Sequence, residues 1–192
     1  VHFTVETLRY DLHGRDCEGV ATTWLADRVE DGDSVDMYVV PAAHFRLPKS
    51  KSTPIIMVGP GTGIAPFRAF LRERKAKEQK GKNWLFFGHQ HEDKDFLYQE
   101  ELEEALSDGL LTELSLAWSR DQENKVYVQD KIRERSEDIW KWIRSGAYVY
   151  VCGDKRAMAP QVREAFAEVL VAHGGFNKDD AMGRIAEWEA DG

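Results

Sequence analysis

The chain has 192 residues and a net charge of −8, which argues against nucleic acid and anionic membrane as main partners. A hydrophobic content of 42% supplies a sizeable core and excludes wholesale disorder, and the length allows one large domain or two small ones. The two cysteines, Cys17 and Cys152, form no C-x-x-C pair, so reduced thiols in the cytoplasm are expected.

No apolar run approaches the roughly 20 residues that span a bilayer. The first residues, VHFTVETLRYDL, lack the basic start and apolar centre of a signal peptide. They begin without Met inside a strand-like stretch, so a piece of a longer protein is expected. Residues 2–10 are rich in β-formers and predict a strand, with Phe3 and Val5 alternating with Thr4 and Glu6. A loop at 13–16 follows. The run from Gly19 to Leu25 predicts a short helix, opened by Gly19 or a nearby Thr. Its start reads as an ordinary capped helix or as an anion site, and local sequence favours the former. Residues 34–40, SVDMYVV, predict another strand, stopped by Pro41. A connector with Pro48, Lys49 and Lys51 follows, and a domain boundary is expected at about residue 50.

From Pro54 the texture changes. Strand-like runs at 55–58, 84–87, 111–117 and 148–151 alternate with helical segments at 64–79, 96–106, 127–144 and 156–173. The alternation predicts an α/β fold, a parallel sheet with helices on both faces. A last helix over 177–190, dense in acid, is expected to face solvent. Ligands of such sheets sit beyond the carboxyl ends of the strands, so the residues there carry the functional reading.

The first strand end is Gly59-Pro60-Gly61-Thr62-Gly63, leading into a helix. N–H groups and the helix dipole there suit a pyrophosphate. The pattern is neither the dinucleotide G-x-G-x-x-G, because Ile64 stands third, nor a P-loop. A tight turn with glycines for geometry alone is the bland alternative. The second end, Gly88-His89-Gln90-His91, lacks the acid that accepts from an NAD ribose. Its two histidines suggest a metal only weakly, and a solvated pair is expected. The third end is Trp118-Ser119-Arg120-Asp121, followed by Lys125, Val126, Tyr127, Val128 and Gln129. Ser119, Arg120 and Lys125 offer donors for a phosphate, and Tyr127 a ring for a base. The rival is a surface loop in which Arg120 pairs with Asp121 or Glu123. At the fourth end, Cys152 precedes Gly153 and Asp154, a good helix cap. Cys152 reads as a small buried hydrophobe or as a contact to a cofactor's reactive face. No basic neighbour makes it a thiolate.

Several motifs in register resemble the C-terminal reductase region of the diflavin reductases, which are ferredoxin–NADP⁺ reductase-like proteins. They are GVAT (19–22), FRLP (45–48), GPGTGIAPFRAF (59–70), DFLY (95–98), SRD (119–121), KVYVQDK (125–131) and YVCGD (150–154). The runs KNWLFFGH and LAWSRDQ are most similar to the sulfite-reducing branch; a P450-reductase-type protein with another acceptor is the alternative. The resemblance implies a five-stranded-type Rossmann-like NADP-binding sheet over 51–192, as a fragment with its last strand missing. It is preceded over 1–50 by the end of an antiparallel FAD-binding β-barrel. It implies that Thr4, Val5, Glu6, Tyr10, Gly19, Val20, Ala21 and Thr22 line the FAD. Gly61, Thr62 and Gly63 would approach NADPH. Ser119, Arg120, Lys125, Val126, Tyr127, Val128 and Gln129 would hold its 2′-phosphate end, with Asp154 and Gln161 nearby. Gln161 stands where relatives often have Asp. Cys152 would align hydride transfer. The family's Arg-x-Tyr-Ser flavin motif and closing aromatic fall outside these residues, as does an FMN domain. A haemoprotein subunit of sulfite reductase is the implied acceptor. A nucleotide-binding module without redox chemistry is the rival of another class.

Overall fold

The computed structural model describes residues 2–42 and 44–191. The chain separates into two compact units, Val1–Ala43 and His44–Gly192.

In the first unit, β1 (Arg9–Asp11) pairs antiparallel with β2 (Asp16–Glu18), Tyr10 opposite Cys17. The Asp11 carboxylate accepts the Gly14 N–H at 3.1 Å and closes the connecting turn. Helix α1 (Val20–Arg28) follows, with Gly19 as its extended N-cap. The strand expected over 2–10 is therefore only the last part of that stretch. Residues 34–40 form no strand, although the sequence predicts one. A strand is held by the ladder to a neighbour. Here Val35, Met37, Tyr38, Val39 and Val40 are exposed, with no described strand beside them. Their β-propensity expresses a fit to a half-buried sheet surface, which the described residues of this unit do not provide for them.

The second unit holds a parallel sheet in the order β5-β4-β3-β6. The strands are β3 (Ile55–Val58), β4 (Asn83–His89), β5 (Glu113–Trp118) and β6 (Tyr148–Val151). All four fall where apolar runs predict them. β3 is central and its residues are wholly buried, which is why it reads as an unbroken apolar run. Its side chains alternate between two cores. Ile55 and Met57 pack with Phe67 and Leu71 of α2 (Ala65–Ala76) and Leu102 of α4 (Gln99–Ser107). On the other face, Ile56 and Val58 pack with Ile132 of α5 (Val128–Glu134) and Ile139 of α6 (Ser136–Arg144). Val162 and Phe166 of α7 (Met158–Gly174) complete that layer. A short helix, α3 (Glu92–Asp95), precedes α4.

Three expectations are corrected. The helix expected over 127–144 is two helices, broken at Arg135, whose backbone is at φ −100. The helix expected over 96–106 starts later, because Tyr98 is in the left-handed region at φ 59. The acid-rich last helix, α8 (Lys178–Asp191), does not simply face solvent. Ala181 and Ile185 lie one turn apart and are buried in the core beside α7.

Two contacts fix the entry to the sheet. Phe45 packs on Phe67, Phe70 and Tyr150, and the Tyr150 hydroxyl donates to the Arg46 carbonyl at 2.7 Å. Burial pushes that hydroxyl up to about 12. Arg74 is fully buried on α2. It donates to the Thr53 and Gly81 carbonyls at 2.8 and 2.9 Å and to Asn83 Oδ1 at 2.9 Å. It thereby satisfies carbonyls at the start of both central strands.

Candidate functional site

The order of strands reverses between β3 and β6, so the crevice of the sheet lies beyond Val58 and Val151. Both loops leave the sheet under hydrogen bonds. The Gly59 N–H donates to the Phe86 carbonyl at 3.0 Å, and the Cys152 N–H to the Val58 carbonyl at 2.9 Å. Residues Gly61–Ile64 then form one 3-10 turn that runs directly into α2. The first N–H groups of such a start have no intrahelical acceptor. Gly61 is at φ +55, where a side chain is strained. Gly63 faces the backbone of Cys152 so closely that a Cβ there would overlap the Cys152 carbonyl. The glycine turn and the Cys152 loop are therefore one packed structure, with Thr62 half-buried between Gly61 and Gly63.

The third strand end is equally anchored. Beyond Trp118 the ladder continues, with the Ser119 N–H on the His89 carbonyl and the Arg120 N–H on the Gln90 carbonyl, both at 2.9 Å. The Ser119 hydroxyl also donates to the His89 carbonyl, at 3.2 Å. The loop rival does not hold for Asp121. Its carboxylate accepts from His91 Nδ1 at 2.8 Å and from the Glu92 N–H at 2.9 Å. The Glu92 N–H, then His91, hold it below the usual carboxylate range. The exposed Arg120 guanidinium and Lys125 ammonium have no side-chain partner among the described residues. Such donors are open to an anion.

The neighbouring predicted residues divide by burial. Tyr127 is 43% exposed, and its N–H donates to Asp130 at the start of α5. Val126 and Val128 pack into the core. Gln129 is buried, and its amide donates to the Gln161 side chain at 2.6 Å, so α5 and α7 bring these two together. Asp154 accepts the N–H groups of Arg156 and Ala157 at 2.9 and 2.8 Å. These bonds fix the approach to α7 and hold its carboxylate below the usual range. Cys152 is half-buried against the core that holds Ile55 and Met57, and burial pushes its thiol up. A thiol raised in this way has little of the thiolate character that a nucleophile needs.

The histidine pair has distinct duties. His89 Nδ1 accepts the Gln90 N–H at 2.9 Å, so its 3.3 Å approach to Asp95 is not a donor contact. Asp95 instead accepts the His91 N–H at 2.9 Å. Among the described residues, no three His, Cys, Asp or Glu side chains gather as a metal site.

In the first unit, the Gly19 N–H donates to the Leu8 carbonyl at 2.8 Å, and Thr22 Oγ1 accepts the Leu8 N–H at 3.1 Å. The start of α1 is thus held, with Val20 and Ala21 exposed on its first turn. Tyr10 is half-exposed on β1, while Thr4, Val5 and Glu6 precede that strand.

Residues 57–164 match the model of the oxidoreductase NAD-binding domain family. Over 187 residues, 97% of the chain, it is 52% identical to the sulfite reductase [NADPH] flavoprotein alpha-component of Escherichia coli. It is 51% identical to that of Salmonella arizonae and 50% identical to that of Cronobacter sakazakii over the same length. The matched stretch is 31% of each, so the chain spans under a third of these relatives. The resemblance read from the motifs is the one these comparisons find.

Proposed function

The chain belongs to the oxidoreductase NAD-binding domain family, and from that premise we propose that it is the NADPH-reading part of a sulfite-reductase-type flavoprotein. One observation carries the reading. A glycine turn packed on the Cys152 carbonyl occupies the reversal point, while the next loops leave Arg120 without a side-chain partner. The turn offers backbone close to a pyrophosphate. Ser119, Arg120 and Lys125 read the 2′-phosphate that distinguishes NADP from NAD, and Tyr127 flanks the adenine. Gln129 and Gln161, already joined, close the floor of the pocket. Val126, Val128 and Asp154 act through the backbone shape they fix. Thr62 and Cys152 stand beside the nicotinamide, holding it in line and excluding water.

When bound, FAD would supply the acceptor for the NADPH hydride, and FMN in the longer protein would carry the electrons on to a haemoprotein, the sulfite reductase partner. FAD is held by Thr4 to Glu6, Tyr10 and Gly19 to Thr22, in residues 1–50 taken as the end of its barrel. Residues 51–192 are the NADP domain. FMN lies in another part of the longer protein, which works in the cytoplasm.

The reading predicts saturable quenching of FAD fluorescence by the chain. It also predicts loss of visible flavin absorbance when NADPH, but not NADH, is added without oxygen. FAD that stays unquenched and unreduced beside a folded, NADP⁺-binding chain contradicts the flavin half of the reading.

A further inference from the structure

We infer that His91 is a positioning residue for cofactor choice: by holding the Asp121 carboxylate, it keeps the neighbouring Arg120 guanidinium open for a 2′-phosphate. The inference rests on the proposed role of Arg120.

Arg120 and Asp121 are adjacent at the end of β5, and a carboxylate there is the nearest natural partner for that guanidinium. Pairing would neutralise the cation and place a negative charge where a phosphate must sit. The structure avoids this by giving both carboxylate oxygens other donors. Oδ1 faces His91 Nδ1 at 2.8 Å and Oδ2 takes the Glu92 N–H at 2.9 Å. A carboxylate only accepts, so His91 Nδ1 carries the proton. Lys94 adds favourable charge toward Asp121. His91 is itself set by its backbone N–H, which donates to Asp95 at 2.9 Å. The backbone ladder that places Ser119 and Arg120 on the His89 and Gln90 carbonyls does not involve the imidazole. Removing the ring therefore frees Asp121 Oδ1 to accept from Arg120 without dismantling the loop.

The test uses 2′-AMP and 5′-AMP as probes, titrated calorimetrically into the whole chain. His91→Ala is expected to weaken 2′-AMP binding about tenfold through the loss of one charge-assisted contact, with 5′-AMP unchanged. His91→Asn, whose amide nitrogen can stand in for Nδ1, is expected to retain most of the affinity. The double variant His91→Ala, Asp121→Asn is expected to regain it, because no carboxylate remains to capture Arg120. Three results overturn the inference. These are an unaffected 2′-AMP affinity in His91→Ala, an equal loss for both nucleotides, or a double variant as weak as the single one. If the wild-type chain does not prefer 2′-AMP, the proposed phosphate role fails instead. The pairing is then judged without nucleotide, by the Arg120 Nε–H resonance in NMR. A shift in His91→Ala that Asp121→Asn abolishes supports the inference; an unmoved resonance overturns it.

Discussion

Arg120→Ala is expected to weaken NADP⁺ binding by about 10- to 150-fold, the equivalent of about 1.5–3 kcal/mol for a hydrogen bond to a charged group. NAD⁺ binding is expected to change by less than about twofold, within the small range usual for exposed substitutions. The asymmetry follows from the site. The guanidinium has no side-chain partner among the described residues, so its removal orphans nothing in the free protein. Its loss is felt only by a ligand carrying the extra phosphate. Lys125 remains as a second cation, but as a point charge it does not reproduce the planar fork of an arginine. Paired titrations of NADP⁺ and NAD⁺ into both chains measure the effect. Equal losses for the two nucleotides would remove Arg120 from phosphate recognition.

Gly63→Ala is expected to be the most damaging small substitution in the turn. The added methyl would overlap the Cys152 carbonyl, which is backbone and cannot rotate away. The Cys152 N–H is held by the Val58 carbonyl at 2.9 Å, so separation would strain the β3–β6 pairing at its carboxyl end. A loss of about 2–5 kcal/mol is expected, above ordinary overpacking because the backbone must move. At about 2–4 °C per kcal/mol for a chain of this size, the melting temperature should fall by about 4–20 °C. Gly183→Ala is the control. Nothing lies within 4 Å of the Cβ position at Gly183 in α8, so up to about 1 kcal/mol of stabilisation is expected there. Thermal unfolding of the three chains separates close approach from a general effect of replacing glycine. A Gly63→Ala chain as stable as wild type would show that the turn and the Cys152 loop are not packed as one.

The two central strands of the sheet are legible in the sequence because they are buried on both faces. Ile55 to Val58 and Trp84 to Phe87 are apolar throughout, and the structure buries every one of them. The first unit is less legible for the converse reason. Val35 to Val40 carry β-forming side chains, but a strand also requires a partner, which no local pattern reports. In α8 the density of acid hides the Ala181 and Ile185 pair, which a count of charges misses and a helical spacing finds. The candidate site is legible as far as strand ends can be read. Ser119, Arg120 and Cys152 follow from their places after apolar runs. The state of Arg120 does not follow from sequence. Asp121 looks like its obvious partner until the fold brings His91 and Glu92 against that carboxylate. The Gln129–Gln161 bond depends on α5 meeting α7, so neither residue announces the other.

The central claim is that the loops after β3 and β5 form a pocket that reads a 2′-phosphate. Calorimetric titration of the folded chain with NADP⁺ and, separately, NAD⁺ tests it most directly. The account predicts a clear preference for NADP⁺, by a factor comparable to the loss expected in Arg120→Ala. Equal affinity for the two nucleotides would contradict it, since Ser119, Arg120 and Lys125 would then recognise nothing that distinguishes one from the other.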